Sequence, residues 1–419
     1  MSKIRELFKK DVLSWAMFDF ANSSYSLLIL SFVFPIYFKE IIAGNQYGDF
    51  YWGLIGSLSI LLAGIASPVI GAIADYDSKK KSKFIFCVVL SFIATAILFF
   101  SHSNTLIFTS IIFMVSNLFF LLSQSLYDSF LSHVSKKENA GLVSGLGYSF
   151  GYLGGIVALI LFKPFYIGGF AGENEILYRL VFPLTALFFI LFSLPSFVYL
   201  KNAGNYLKPK KDSLRFFIKI GFSRTLESLR YLKKNKHLLW FLIAFYLLTD
   251  GLVTIFAFIS IYGIQTIKLT MPQIMVVFII VQIIAIPSSL FFGWLADKKG
   301  QKKILLWNIF GWILITFFLS IGKSAFIMYL IAILTGLFIG GSQSIARSWF
   351  SNLIPEEKRF SLFGFNSFAS KISAVIGPLL YGAISVLSGN QRIAMLSLIP
   401  FFVISFIIFL KIKHTTPPQ

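Results

Sequence analysis

The sequence predicts an all-α membrane protein in which twelve transmembrane helices form two pseudo-symmetric six-helix bundles. Three observations lead to this prediction: an apolar composition, twelve long apolar segments, and motifs that recur in the two halves. Of the 419 residues, 57% are hydrophobic and only 13% are charged. An ordinary soluble domain is about half apolar and about a quarter charged. A soluble globular protein is therefore excluded, and the fifty phenylalanines fit a surface that faces lipid tails.

Twelve segments are long enough to cross a bilayer, whose apolar core of about 30 Å needs about 20 helical residues. The predicted spans, numbered 1 to 12 in chain order, are Val12–Phe38, Gly53–Ala74, Phe84–Ser101, Leu106–Ser129, Gly141–Phe162, Leu177–Leu200, Leu238–Gly263, Pro272–Ala296, Ile304–Ile321, Ala325–Ser348, Leu362–Leu387 and Ile393–Leu410. The first segment is too long for a signal peptide and contains Asp19 and Asn22, so we expect it to remain as span 1.

A basic linker, Lys201–His237, separates the two apolar blocks. It contains eleven Lys or Arg and two acidic residues, Asp212 and Glu227. We therefore divide the chain into a bundle of residues 1–200, the linker of residues 201–237 and a second bundle of residues 238–419. Apolar and basic residues are mixed within the linker, which predicts that part of it is helical and lies on the anionic inner leaflet.

The distribution of Lys and Arg predicts the orientation, because cytoplasmic loops of membrane proteins carry an excess of these residues. The two termini, the linker and the four loops on the same side hold thirty of the 37 Lys and Arg, and the opposite side holds six. The remaining one, Lys371, lies inside span 11. We therefore expect both termini in the cytoplasm of a bacterial cell and the spans in its inner membrane. The net charge of +20 does not predict nucleic-acid binding, since the cations lie between apolar segments.

Short motifs recur in the same order in both halves. The pentapeptide Gly71–Asp75 is followed by lysines and matches Gly293–Asp297, and Ser123–Ser125 matches Ser342–Ser344. The matches fall in equivalent spans at a nearly constant separation. This predicts a parallel repeat of six plus six spans.

The same residues carry a resemblance to a known family. The loop from Gly293 to Lys303 resembles the signature of the major facilitator superfamily, and its first copy departs from the signature at Ser78. Longer stretches resemble the vacuolar amino-acid effluxer branch, which is known from fungal autophagy and from bacterial permeases. These stretches are SWAMFDFANSSYS (14–26), FVFPIYF (32–38), GLVSGLGYSFGYLGGI (141–156), GGSQSIARSWFSNLIP (340–355) and FGFNSFASKISAVIGPLLYG (363–382).

The resemblance implies a secondary active transporter of the major facilitator fold, which moves a small solute by alternating access. It implies that spans 1, 4, 7 and 10 line a central cavity, and that amino acids are the substrates of the vacuolar members. We expect a monomer whose partners are a small-molecule substrate, the lipid bilayer and protons. Two alternatives stay open: an efflux permease for another small metabolite or a drug, and a passive channel.

Other classes of protein are disfavoured. An ATP-driven pump would need a phosphate-binding loop, and Gly322-Lys323-Ser324 lacks the upstream glycine of that motif. An intramembrane enzyme would need a nucleophile–base pair or metal ligands inside the spans. The four histidines lie in loops or at helix ends: His102, His133, His237 and His414. We therefore expect no enzyme activity, no metal and no cofactor, and the single cysteine, Cys87, excludes an intrachain disulfide.

Four spans carry polar residues on one helical face, where a bilayer would place them toward the interior of the bundle. These residues are Asp19, Asn22, Ser23 and Ser26 in span 1, Asn117, Gln124 and Asp128 in span 4, Tyr246, Asp250 and Thr254 in span 7, and Gln343 and Arg347 in span 10. The four spans are those that the resemblance assigns to the cavity. Asp250 and Lys371 both lie near the middle of their spans, and Asp19 is shallower.

We interpret five residues as substrate-binding: Asn22, Gln124, Asp250, Gln343 and Lys371. If Lys371 binds a carboxylate and Asp250 binds an ammonium group, the site suits a zwitterion such as a neutral amino acid. Asp19 or Asp250 would then exchange the coupling proton. The alternatives are that Asp250 and Lys371 form a structural ion pair, that Asp19 pairs with cations at the interface, and that Asn22 only connects helices.

Six residues are predicted to take part in gating. The resemblance implies an ion pair between Asp297 and Arg347, which would stabilise one conformation. Asp75 cannot form the same pair, because the position equivalent to Arg347 is Asp128. In span 5, the four-residue spacing of Gly147, Gly151 and Gly155 predicts close helix packing, and the resemblance implies a sliding contact with span 8.

Overall fold

The computed structural model describes residues 8–44, 46–76, 79–135, 140–170, 172, 174–201, 214–353 and 359–412. All regular secondary structure in these ranges is helical, and twelve helical segments are long and apolar enough to cross a membrane. The spans are Lys10–Ala43, Gly48–Ile73, Lys80–Phe100, Leu106–Asp128, Val143–Tyr166, Asn174–Tyr199, Lys236–Gln265, Met271–Ala296, Gln301–Ile321, Ala325–Ser342, Phe368–Ser388 and Gln391–Lys411. The prediction of an all-α protein with twelve spans is confirmed.

Several helices continue beyond their spans. The longer helices are Gly48–Tyr76 in span 2, Ala140–Tyr166 in span 5, Met271–Lys299 in span 8 and Ala325–Leu353 in span 10. A short helix, Leu131–Val134, follows span 4. The linker contains the helix Leu214–Lys234, which confirms that part of the linker is helical. We call this element the linker helix.

Three spans are irregular. Span 1 is α-helical over Lys10–Ser24 and Val33–Tyr37, and it forms wider π-helical turns over Tyr25–Ser31 and Phe38–Ala43. Span 11 begins within the helix Arg359–Ser373 and continues as the helix Ile376–Ser388. Span 12 consists of the helices Gln391–Leu396 and Ile399–Lys411. Such interruptions expose backbone groups that a continuous helix would use internally. In span 11 the break follows shortly after Lys371, a predicted substrate-binding residue.

The chain forms two compact units. The first comprises Met1–Gly44 and Leu58–Phe222, and the second comprises Asn45–Ser57 and Ser223–Gln419. The helix of span 2 therefore belongs to the second unit in its first turns and to the first unit in the remainder.

Aromatic side chains form the core of the first unit around span 1. The ring of Phe18 lies 4.6 Å from Tyr127 and 4.9 Å from Phe84, measured between centroids, and Trp15 stacks on Tyr127 at 4.7 Å. Span 1 is the most buried of the twelve spans. It therefore holds its polar residues inside the protein, away from lipid.

In the second unit, small residues allow helices to pack closely. A Cβ atom at Gly336 would lie 2.8 Å from the carbonyl oxygen of Val281, and one at Gly340 would lie 2.8 Å from Ser289. These contacts join span 10 to span 8. The ring of Phe258 stacks on Tyr381 at 4.1 Å, which joins span 7 to span 11.

Candidate functional site

The first unit contains a polar cluster between spans 1 and 4. The hydroxyl of Tyr127 donates to Asp19 Oδ2 at 2.7 Å, and the amide nitrogen of Asn22 donates to Asp19 Oδ1 at 3.2 Å. The same amide nitrogen lies 3.4 Å from Gln124 Oε1. Three residues that the sequence singled out, Asp19, Asn22 and Gln124, are thus brought together. Asn22 is buried, and Asp19 and Gln124 are half-buried.

Tyr127 completes this cluster and was not predicted from the sequence. Its hydroxyl also lies 3.0 Å from the carbonyl oxygen of Trp15, and its ring stacks on the Trp15 indole. It is 2% exposed, so its orientation is well determined by packing. Its position three residues after Gln124, on the same face of span 4, was the available signal.

The glycines of span 5 pack against this cluster. A Cβ atom at Gly147 would contact Asp19 Oδ2, and one at Gly151 would lie 2.9 Å from Ser23 Oγ. Gly155 is buried on the same helix. The predicted close packing is therefore present for Gly147 and Gly151, with span 1 as the neighbour. A role of Gly147, Gly151 and Gly155 in gating remains a prediction.

The second unit contains Asp250, which is only 2% exposed. Both of its carboxylate oxygens lie 3.0 Å from the backbone N–H of Gly377, which is the partner of this carboxylate within the described part of the chain. Gly377 is the second residue of the helix Ile376–Ser388, directly after the break in span 11. A carboxylate at a helix N-terminus is favourable, because the first N–H groups of a helix have no internal partner.

A side chain at position 377 would not fit. A Cβ atom there would contact Thr254 Oγ1 and would lie 2.7 Å from Asp250 Oδ1. Glycine is therefore what allows span 11 to approach Asp250. This contact explains why the FGFNSFASKISAVIGPLLYG stretch has a glycine at position 377, which its hydropathy does not explain.

Tyr246 Oη and Asn366 Oδ1 are two of the five buried polar atoms of the second unit that have no hydrogen-bond partner among the described residues. Tyr246 is four residues before Asp250, on the same face of span 7. Asn366 is five residues before Lys371 on the same helix and was not predicted from the sequence. A buried polar atom without a partner costs about 1–3 kcal/mol. Such groups commonly mark a place where a ligand or water binds.

The positions of Asp250 and Tyr246 along span 7 can be compared with that of Lys371 along span 11. With a rise of 1.5 Å per residue, Asp250 is about 21 Å from the start of span 7 and Tyr246 about 15 Å. Lys371 is six residues before Gly377, the residue of span 11 that contacts Asp250. Lys371 is half-buried. Both helices run in the same direction, so Lys371 and Tyr246 lie about 9 and 6 Å nearer the start of their spans than the contact between Asp250 and Gly377.

The start of span 2 is held within the second unit by a buried carboxylate. Asp49 is 2% exposed, and its Oδ2 atom accepts from Ser385 Oγ at 2.5 Å and from Gln391 Nε2 at 2.8 Å. Gln391 also donates to Gln265 Oε1 at 2.9 Å. We call the contacts of Asp49 with Ser385 and Gln391 the Asp49 latch. It connects span 2 with spans 11 and 12.

Glycines allow the close approach of helices at the Asp49 latch. A Cβ atom at Gly53 would contact the carbonyl oxygen of Pro378, and one at Gly382 would lie 2.6 Å from the carbonyl oxygen of Asp49. Two further bonds support the contact: Trp52 Nε1 donates to the carbonyl oxygen of Ala257, and Ser57 Oγ to that of Val375, both at 2.8 Å. None of these residues was predicted, since a single acid at the start of an apolar span resembles an interfacial residue.

Four predicted residues have side chains outside the part of the chain that the structure describes: Asp75, Asp297, Gln343 and Arg347. Their backbones are helical. The ion pair between Asp297 and Arg347 therefore stays a prediction, as does the role of Gln343 in substrate binding.

Solved structures of transporters share this fold. The chain aligns with a D-xylose-proton symporter at a TM-score of 0.74 and 12% identity, covering 97% of this chain and 98% of the other. It aligns with the nucleoside transporter NupG at a TM-score of 0.71 and 16% identity, covering 96% and 99%. This likeness shows that the chain has the fold of these transporters.

Comparisons with known sequences identify the family to which the chain belongs. The chain belongs to the family described as "Vacuole effluxer Atg22 like", whose model matches residues 51–416. It is 26% identical to the "Uncharacterized MFS-type transporter YxiO" of Bacillus subtilis, over 98% of this chain and 96% of that protein. It is 24% identical to "Autophagy-related protein 22" of Kluyveromyces lactis, over 64% of this chain and 57% of that protein. The expected resemblance to this branch is confirmed, and the protein is an integral membrane transporter of the major facilitator type.

Proposed function

We propose that this protein is a secondary active transporter for small amino acids or similar zwitterions, coupled to protons. One observation supports the proposal: an intramembrane cation, Lys371, lies six residues before Gly377, whose backbone N–H contacts the buried carboxylate of Asp250. Charged groups inside a bilayer are rare and mark substrate or ion pathways. Lys371 would bind the carboxylate of the substrate, and Asp250 its ammonium group. The hydroxyl of Tyr246 and the amide of Asn366 would supply hydrogen bonds.

Asp19 is the proposed proton-coupling residue of the first unit. Two neutral side chains, Tyr127 and Asn22, donate to its carboxylate. Neutral donors hold the group in place in both protonation states, which suits a carboxyl that gains and loses a proton during transport. Gln124 extends the same hydrogen-bonded chain and would orient the substrate.

The break in span 11 suggests how binding would change conformation. The helix Ile376–Ser388 contacts Asp250 at its first turn, through Gly377, and Asp49 near its end, through Ser385. When a substrate ammonium group or a proton neutralises Asp250, the attraction between its charge and the helix N-terminus weakens. The helix would then be free to shift, and the Asp49 latch would open. We propose that movement of this helix opens the substrate site alternately to the two sides of the membrane.

Transport by purified protein in proteoliposomes tests the proposal. We expect saturable uptake of labelled neutral amino acids, counterflow when unlabelled amino acid is trapped inside, and faster accumulation against an imposed proton gradient. Flux that is not saturable and shows no counterflow would identify a passive channel. Counterflow that only other metabolites or drugs support would identify an efflux permease with another substrate.

Ligand binding can be measured separately from transport. A ligand that binds only the folded protein at 100 times its dissociation constant stabilises it by about 2.7 kcal/mol. We expect neutral amino acids to raise the thermal unfolding temperature in detergent, and no such effect from amines or carboxylic acids that lack the second charge. Stabilisation by either singly charged class alone would contradict a zwitterion site.

The variant Tyr127→Phe is expected to reduce transport about tenfold, because a hydrogen bond to a charged group is worth about 1.5–3 kcal/mol. The ring would still stack on Trp15, so the fold should survive. Transport rate and thermal unfolding are measured together. The control is Tyr166→Phe, which removes a buried bond of 2.8 Å from Tyr166 Oη to the carbonyl oxygen of Leu159 without touching Asp19. Equal loss in both variants would mean that Tyr127 has only a structural role.

A further inference from the structure

The linker helix has three faces of different character. One face is buried and includes Phe217, Gly221, Ser228 and Leu232. A second is apolar but exposed, and its residues recur every four positions: Leu214, Ile218, Phe222 and Leu226 are 64%, 41%, 42% and 47% exposed. A helix turns roughly 100° per residue, so these four cover about 120° of its circumference next to the buried face.

The third face is basic and overlaps the edge of the exposed apolar one, since Arg215 lies between Phe222 and Leu226 around the helix. Arg215, Lys219 and Arg230 are exposed and fall within roughly 60° of one another around the helix. Over its whole length the linker helix contains six Lys or Arg and one acid, Glu227. An apolar face flanked by cations is typical of helices that lie in the plane of a membrane interface.

Contacts of the buried face show where the helix lies relative to the spans. A Cβ atom at Gly221 would contact the carbonyl oxygen of Pro68. Pro68 is inside span 2, about 8 Å before its end at Ile73. The ammonium group of Lys83, near the start of span 3, lies 6.0 Å from the centre of the Phe217 ring. The linker helix therefore packs beside the ends of two spans.

We propose that the exposed apolar face of the linker helix inserts into the bilayer surface and that its basic face binds anionic phospholipid headgroups. Charge complementarity identifies anionic lipid as the partner, and the contact with Pro68 places the apolar face next to acyl chains. Leu214, Ile218, Phe222 and Leu226 leave water by inserting, and Arg215, Lys219 and Arg230 remain at the headgroups.

Single-cysteine labelling of the full-length protein tests this inference. Cys87 is only 5% exposed, so the wild type serves as the unlabelled blank. An environment-sensitive fluorophore is attached at Phe222→Cys, on the apolar face, and in a matched variant at Ser223→Cys, on the neighbouring polar side. Each protein is placed as a single copy in nanodiscs of neutral lipid or of neutral lipid mixed with phosphatidylglycerol. Quenching is measured with aqueous iodide and with spin-labelled lipid.

We expect the label at position 222 to be quenched by spin-labelled lipid and protected from iodide in anionic nanodiscs, and the label at position 223 to show the reverse. Each cation near an anionic surface shifts the equilibrium between docked and undocked helix by roughly fivefold. Replacing Arg215, Lys219 and Arg230 with Gln should therefore shift it by on the order of 100-fold, and the label at position 222 should become accessible to iodide.

Three results would overturn the proposal. Equal iodide quenching at positions 222 and 223 in anionic nanodiscs would show that the apolar face does not insert. Protection of position 222 that is the same in neutral and anionic nanodiscs, and survives the triple substitution, would exclude anionic headgroups as the partner. Protection that arises only when two copies share a nanodisc would identify a second copy of this chain as the occupant.

Discussion

Exchanging the two intramembrane charges, by combining Asp250→Lys with Lys371→Asp, is expected to leave transport abolished in a protein that still folds. If each charge binds its own end of a zwitterion, reversing both presents the wrong charge to each end. Removing one partner of a buried charge interaction costs about 2–5 kcal/mol, which corresponds to a loss of roughly 30-fold or more. Transport in proteoliposomes and thermal unfolding in detergent are the measurements.

Single substitutions separate the roles of these charges. In Asp250→Asn, the side-chain oxygen can still accept from the Gly377 N–H, so span 11 keeps its contact while the charge is lost. We expect this variant to fold and to fail in transport, and Lys371→Arg to keep more activity than Lys371→Ala. Restoration of transport in the double charge exchange would instead show a structural ion pair. Transport that is unaffected by Lys371→Ala would remove this residue from the site.

The substitution Gly53→Val is expected to open the Asp49 latch, because its side chain would collide with the carbonyl oxygen of Pro378. Overpacking of this kind costs about 1–3 kcal/mol, enough to shift the balance between latched and unlatched states by roughly 5- to 150-fold. The matched control is Gly56→Val, one turn further along the same helix, where a Cβ atom meets nothing within 4 Å.

The distance between spin labels at Tyr47→Cys and Leu387→Cys reports the state of the latch. Both residues are exposed, at 47% and 86%, and they lie at the ends of spans 2 and 11. We expect a longer distance to become dominant in Gly53→Val and the wild-type distribution to persist in Gly56→Val. Identical distributions in both variants would show that the contact between Gly53 and Pro378 does not hold the latch closed.

Hydropathy was sufficient to predict the spans, because a helix that crosses a bilayer must be apolar over about 20 residues wherever it lies in the chain. It could not predict the break in span 11. That break precedes Pro378, and a proline disrupts the preceding turn of a helix. The N–H of Gly377 is bound by Asp250, more than one hundred residues earlier in the chain. Span 2 likewise reads as one uniform helix, although its first turns belong to the second unit through the contacts of Gly53 and Asp49.

The candidate site, like the fold, could be predicted from the sequence only in part. Helical spacing placed Asp19 and Asn22 on one face of span 1, and Asn22 does reach Gln124 across the helix contact. Tyr127 was missed because tyrosine is common in apolar spans, and only its 2.7 Å bond to Asp19 distinguishes it from a packing residue. Asn366 was missed because its neighbour Lys371 is the more conspicuous polar group. Which residues pair across helices depends on three-dimensional packing, and the spacing along one helix does not predict it.

The Asp49 latch also has a consequence for how the protein is made. Asp49 is 336 residues before Ser385 and 342 residues before Gln391 in the chain. At about 5–20 residues per second, a ribosome needs roughly 20 to 70 s to synthesise the intervening chain. The first spans therefore enter the bilayer before the residues that bind Asp49 exist. Until then Asp49 lacks these two hydrogen-bond donors, so the Asp49 latch can form only after translation is nearly complete.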